Sequence, residues 1–279
     1  MNGVEFEEGS PNSKSRIAQK RESIKQGVGL VMALLGMSGE STLAAKIGIC
    51  AKNRTLGWRK ALRRAGNGTR GDELWFCRSR ACPLCCADNA ASWGLKATQS
   101  AVDALAENPS LKFLALTLKA KFIPLSDIGS AVRDVVRAFG VLKRDKRLRR
   151  FVAGYVRVVE VAISPITLRA VVHIHAAFAL KPEYFHWRNR LSKVAWALLW
   201  RSSLRSEYFC AVDVRRVSGL SGSSVARAVG WWVEYALLGN HFVDVVKIPN
   251  LETAAAAFLA VLAGLKGVRL ISSGGVLKS

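Results

Sequence analysis

The chain has 279 residues, half of them hydrophobic, and 42 Lys and Arg against 20 Asp and Glu, a formal charge of +22. That length accommodates one large domain or two modest ones around an ample core. The charge points to a polyanionic partner. Lys and Arg are spread along the chain, with dense knots at Arg59–Arg70 and Lys143–Arg150, and are not gathered on one amphipathic helix beside an apolar anchor. Nucleic acid is therefore favoured over a membrane surface.

No stretch reaches the ~18 consecutive apolar residues of a membrane span. The run Gly27–Met37, preceded by Lys14, Arg16, Lys20, Arg21 and Lys25, loosely resembles a signal peptide. Its leader is too long and carries Glu5, Glu7, Glu8 and Glu22, and no small-x-small site follows promptly. A short helix and a cytoplasmic protein are expected, where six cysteines suit metal ligation or free thiols better than disulfides.

In chain order, residues 1–12 read as a flexible tail and Ser13–Met37 as a helix, basic and then apolar. Cys50 precedes a basic, glycine-bearing run, Arg54–Gly71, and then Trp75-Phe-Cys-Arg-Ser-Arg-Ala-Cys-Pro-Leu-Cys-Cys86. Cys82-Pro-Leu-Cys85 is a Cys-x-x-Cys knuckle with Cys77 five residues upstream. A redox pair would require a thioredoxin-like βαβ setting, which is missing. Thiolates of Cys77, Cys82 and Cys85, with Cys50 or its competitor Cys86 as the fourth, suit a closed tetrahedral structural Zn2+ site. Arg78 and Arg80, between the ligands, would sit on a stiff loop placed for phosphates or simply solvated.

Asp88–Glu107 is expected to be a helix ended by Asn108-Pro109, and Lys112–Leu118 a short central strand. Ser126–Arg149 is expected to be a helix capped by Ser126. Its charged ridge, with Lys143, Arg144 and Arg147, is either a DNA-backbone contact or a solvated helix end.

Phe151–Ser164 and Arg169–Leu180 are β-rich runs joined by Pro165–Leu168, a hairpin. Within the second, His173-Ile-His175 places two of the chain's four histidines on one face of a strand. If Pro165–Leu168 is the loop, Glu160 lies directly opposite His173 and on its face. A lone acid in such an apolar run is costly to bury without a partner. One divalent ion among His173, His175 and Glu160 is the simplest resolution.

Further on, His186–Arg201 is expected to be an amphipathic helix with Trp196 and Trp200 in the core, and Tyr208–Val217 a strand. After a loop at Gly219–Ser223, Ser224–Leu238 reads as a helix closed by Gly239, with Tyr235 one turn before its end. Glu252–Leu265 is an Ala-rich helix and Arg269–Ser279 a Gly-containing tail.

The ordered set of pieces resembles the rolling-circle plasmid replication initiators, the Rep proteins of the HUH endonuclease superfamily. The matching pieces are Cys77-Arg-Ser-Arg-Ala-Cys-Pro-Leu-Cys85, Phe113-Leu-Ala-Leu-Thr-Leu118, Val159-Glu-Val161, His173-Ile-His175, Trp196-Ala-Leu-Leu-Trp200, Glu234-Tyr235 and the segment Leu265–Lys278. The resemblance implies an α+β, HUH-type central antiparallel sheet flanked by helices, with an N-terminal helical and cysteine (zinc) subdomain. It divides the chain into a tail and helix (1–49), a zinc and DNA-contact unit (50–110), a nicking domain (111–250) and a C-terminal helix and tail (251–279). It implies that His173, His175 and the acid Glu160 hold Mg2+ or Mn2+ against the scissile phosphate and that Tyr235 attacks one strand of the origin. That attack would form a 5′-phosphotyrosine link and free a 3′-OH primer, with a host helicase and polymerase as further partners. Where the family often has a lysine three residues after the tyrosine this chain has Leu238. Trp231 stands where the family often has a glutamate one turn before it, which bears on termination more than on nicking. The rivals are a non-catalytic zinc-containing DNA-binding regulator and a related relaxase or transposase. A His/His/carboxylate Fe(II) oxygenase would leave the charge without a role.

Overall fold

The computed structural model describes residues 6–7, 27–51, 77–238, 242–245 and 247–278. The basic knot at 59–70, residues 8–26 and the expected cap Gly239 lie outside the described residues.

The centre is a six-stranded sheet in the order β1-β5-β2-β4-β3-β6. Its members are β1 (Phe6–Glu7), β2 (Lys112–Ile123), β3 (Val152–Ile163), β4 (Ala170–Leu180), β5 (Val212–Ser218) and β6 (Ile271–Gly275). All pairings are antiparallel except that of the two-residue β1 along β5. β4 takes the middle because, apart from His173 and His175, it is apolar or small on both faces.

Alternation along the strands sends two sets of side chains in opposite directions. Phe113, Ala115, Val156, Val158, Ala177 and Ala179 pack under α3 (Pro83–Glu107) and α7 (Gly222–Leu238). Leu114, Leu116, Leu118, Val172, Ile174 and Phe178 face α4 (Ile128–Leu142), α6 (Lys193–Leu204) and α9 (Leu251–Gly264). The helical segments α1 (27–37) and α2 (41–51) join that second core through Val31, Leu34, Leu35 and Ile47, so the run that resembled a leader is packed inside. Among the described residues no helix is long and apolar enough to cross a membrane.

Several expected boundaries are corrected. α3 starts at Pro83, not Asp88, because proline is well suited to a first helical position and Cys82 takes the cap position. Ser126 caps nothing: its hydroxyl donates to Asp127 Oδ1 within a 3-10 turn, and α4 begins at Ile128. The helix expected to reach Arg149 breaks after Leu142, and Asp145 caps the short α5 (Lys146–Arg149) by accepting from the Arg147 amide.

α6 begins at Lys193 under a Ser192 cap, leaving Trp187 75% exposed on the preceding loop, while Trp196 and Trp200 are buried as expected. β2 continues beyond Leu118 to Ile123, and β5 starts at Val212, leaving Tyr208 before it. The tail is not a tail: Ile271–Gly275 is an edge strand on β3, with Gly154 opposite Gly275. A side chain on Gly154 would collide with the backbone of Val276 and Leu277, so β3 carries a glycine where this edge crosses it.

Candidate metal centre and cysteine cluster

The β3–β4 hairpin has the expected register. Ser164 N–H donates to Arg169 O across the loop, and Glu160 pairs with His173. Glu160, His173 and His175 therefore project from one face, the face covered by α7. His173 Nδ1 lies 3.4 Å and His175 Nε2 2.5 Å from the same oxygen, Glu160 Oε2. One ligand atom from each residue lies within 4.8 Å of the other two. A cation about 2.1 Å from each would draw them to roughly 3 Å apart, a small adjustment of side chains already converging. Two imidazoles and one carboxylate on a single side leave the remaining positions open, so the donor set fits a divalent ion that must also hold a substrate.

Electrostatics favour the charged carboxylate. Burial pushes the Glu160 carboxyl up, but hydrogen bonds from His173 and His175 outweigh it and hold the group well below the usual carboxylate range. Thr117 on β2 is cross-strand from His175, its hydroxyl 3.3 Å from Nδ1. When a cation takes the place of the Nε2 proton that faces Glu160, an Nδ1 proton donated to Thr117 leaves the Nε2 lone pair for the metal. Trp232 of α7 closes the other side, its ring 5.6 Å from the His175 ring at 68°. Sequence reasoning missed both residues. Thr117 was visible as the one polar residue in Leu114–Leu118, whereas Trp232 had no local signal.

α7 is held at its height by a close crossing with α3. A Cβ on Gly94 would stand 3.1 Å from Gly230 O, and one on Gly230 would stand 2.5 Å from Gly94 O. Glu234 belongs to that crossing: it is buried, and its Cβ would lie 3.1 Å from a Gly94 side chain. It therefore points at α3. Tyr235, about 100° further round the helix, is half-buried one turn after Trp232. The other tyrosines are engaged elsewhere. Tyr155 accepts from Lys143 Nζ at 2.9 Å on the opposite face, Tyr184 accepts from Trp196 Nε1 at 3.0 Å in the core, and Tyr208 accepts from the Lys121 amide at 3.2 Å.

The cysteines form the second cluster. Cys50, Cys77, Cys82 and Cys85 bring their sulfurs within 4.8 Å of one another. Cys85 Sγ lies 3.6 Å from both Cys50 and Cys77, and Cys82 Sγ 4.0 Å from Cys50. Tetrahedral sulfurs about 2.3 Å from Zn2+ are roughly 3.8 Å apart, so these four are spaced as zinc requires. Cys86 instead donates its thiol to Arg80 O at 3.2 Å, leaving Cys50 as the fourth member.

A hydrogen bond from Cys82 brings the Cys85 thiol down to about 5, with Cys77, Cys50 and the Arg78 amide assisting against burial. Burial in turn pushes Cys77 up to about 11. One thiolate forms readily and discourages the rest, and a central cation removes that conflict. Arg78 turns the knuckle at φ +48°, an uncommon conformation for a residue with a side chain.

The candidate DNA contacts separate. Arg78 and Arg80 are exposed beside the cysteine cluster, and Arg80 Nη1 donates to Leu265 O at 2.8 Å, at the end of α9. The Lys143–Arg147 ridge is on the far side of the sheet from the histidines. Lys143 lies over Tyr155, Arg147 pairs with Asp145 at 2.9 Å, and Arg144 is exposed.

Comparison with known proteins follows the same arrangement. Residues 69–279 match the family model described as "Replication protein". A "Protein rep" of Streptococcus pneumoniae serotype 2 is 28% identical over 60% of this chain and 54% of its own length. One of Lactiplantibacillus plantarum is 28% identical over 77% of this chain and 68% of its own. A "Replication protein" of Staphylococcus aureus is 23% identical over 66% and 79%. The chain thus spans between about half and four-fifths of these relatives. No solved structure matches. With most of its length matched, from just before the cysteine knuckle to the last residue, this chain belongs to the replication protein family.

Proposed function

We propose that the chain is a rolling-circle plasmid replication initiator of HUH type, a metal-dependent single-strand DNA endonuclease and strand transferase. The observation that carries this is the register-locked trio Glu160, His173 and His175, lying under the helix that bears Tyr235, in a member of the replication protein family.

A phosphodiester resists attack because its anionic oxygens repel nucleophiles. Mg2+ or Mn2+ held by the trio would neutralise that charge and orient the phosphate. Lys119, exposed and cross-strand from His173, is placed to add a second positive contact. The Tyr235 oxygen attacks phosphorus, its proton leaves to solvent or a base, and the bond to the departing 3′ oxygen breaks. That oxygen takes a proton and becomes a 3′-OH primer, while the 5′ phosphate stays on Tyr235. Because a phenolate leaves well, the link stores the bond for rejoining. The four cysteines would hold one structural Zn2+, with Arg78 and Arg80 toward DNA. Host helicase and polymerase would act on the product.

Supercoiled plasmid carrying the cognate origin tests this. Nicking is expected only with Mg2+ or Mn2+, and Tyr235→Phe protein should bind yet leave the circle closed. Normal nicking by Tyr235→Phe would remove the nucleophile assignment.

A further inference from the structure

Beside the cysteine cluster lies a groove of about 670 Å3 that the mechanism above does not use. Four segments far apart in sequence form it: the loop before the knuckle, the first half of α3, the end of α7, and the stretch from the end of α9 past β6 to Lys278. Its lining includes four cations, Arg80, Lys266, Arg269 and Lys278, and no acid. All four are exposed. Among them lie the half-buried ring of Trp93 and the amide of Asn89, with Lys96 Nζ 5.0 Å from the Trp93 ring centroid.

Cations without counter-charge around an aromatic floor form a site for a phosphate backbone whose bases can stack. A duplex, about 20 Å across with its bases paired inward, cannot present a base face to a floor of this size; a single strand can. We propose that this groove binds single-stranded DNA, with phosphates on Lys266, Arg269 and Lys278 and a base stacked on Trp93. Leu237, two residues past Tyr235, lines its wall, so the groove ends beside the helix that carries the nucleophile. Arg80 joins the groove to the cysteine knuckle through its bond to Leu265 O. The proposal rests on the DNA-processing reading but needs neither Tyr235 nor the histidines.

The test uses the full chain without added Mg2+ or Mn2+ and an oligothymidylate of about twelve nucleotides, within the range one such site covers. With 5-iodouracil in place of thymine, ultraviolet cross-linking should fall on the peptide containing Trp93. Trp93→Ala should weaken binding by roughly 5- to 100-fold with an unchanged salt slope. Lys266→Gln with Arg269→Gln should weaken it and lower the slope of log affinity against log salt by roughly 1.4, two single-strand phosphate contacts. Blunt duplex of the same length should respond little to either change. Cross-linking to the exposed Trp187 instead, wild-type affinity in both variants, or equal losses on duplex would each overturn the proposal. Because no strand is cut in this assay, a failure here is separable from a failure to nick.

Discussion

The two clusters of ligating side chains differ in the way that structural and catalytic metal sites differ. The cysteine group supplies four soft donors from three segments, at spacings that close a tetrahedron with no place for a fifth atom. The hairpin group supplies three harder donors from two paired strands and leaves the remaining coordination positions of an ion unfilled. A closed site stabilises the chain around it, and an open site can accept a phosphate. The comparison predicts that disabling either cluster damages the protein in distinguishable ways.

The largest effect is expected at the open site. His173→Ala with His175→Ala should lower nicking on the order of 10^3-fold or more while leaving the salt-sensitive DNA affinity and the zinc content near wild type. Cleavage that survives would take the histidines out of the chemistry. At the closed site, metal analysis should find a single equivalent of zinc in the wild type, and Cys82→Ser should abolish it and lower the melting temperature by roughly 10 °C or more. Cys86→Ser should retain both zinc and stability, because its thiol faces Arg80 O. Zinc loss from Cys86→Ser would reverse that assignment.

A smaller effect sharpens the role of the orienting hydroxyl. Thr117→Val should weaken Mn2+ binding roughly 10- to 100-fold, measured by titration, without unfolding the sheet. Unchanged affinity would mean that Thr117 does not set the His175 tautomer. The smallest effect is a pH dependence in metal-free protein. The Glu160 carboxyl is held below its ordinary value of 4.5 in the folded chain, as hydrogen bonds from both histidines outweigh burial. Its stabilising contribution is therefore fully present above about 4.5 and is lost as pH falls further. The gap in melting temperature between wild type and Glu160→Gln should narrow from about pH 6 to about pH 3, and a constant gap would contradict the inferred shift.

How much of this was legible in the sequence depended on whether the signal was local. The register of Glu160 against His173 followed from a four-residue loop and strict alternation, since one step of slip would turn every side chain over. The cysteine set was legible for a similar reason: the knuckle and Cys77 upstream bring three sulfurs together by spacing, though setting aside Cys86 as the rival of Cys50 required the fold. β6 was hidden because Ile271–Gly275 carries no hydrophobic alternation and is held as a strand by the backbone of β3. Asp145 was hidden inside the basic ridge, where it looked like one charge among many and not a helix cap. Trp232 and the single-strand groove come from segments that meet only in three dimensions, so no window of sequence could reveal them.

The central claim is that the open site serves the tyrosine of α7. It is tested most directly by incubating the full chain with a single-stranded origin oligonucleotide and Mn2+, then digesting and mapping any covalent protein–DNA adduct. The account predicts one adduct, on Tyr235, that requires the divalent ion and disappears in His175→Ala. An adduct on Tyr155, Tyr184 or Tyr208, or one that forms equally well without the ion, would contradict it.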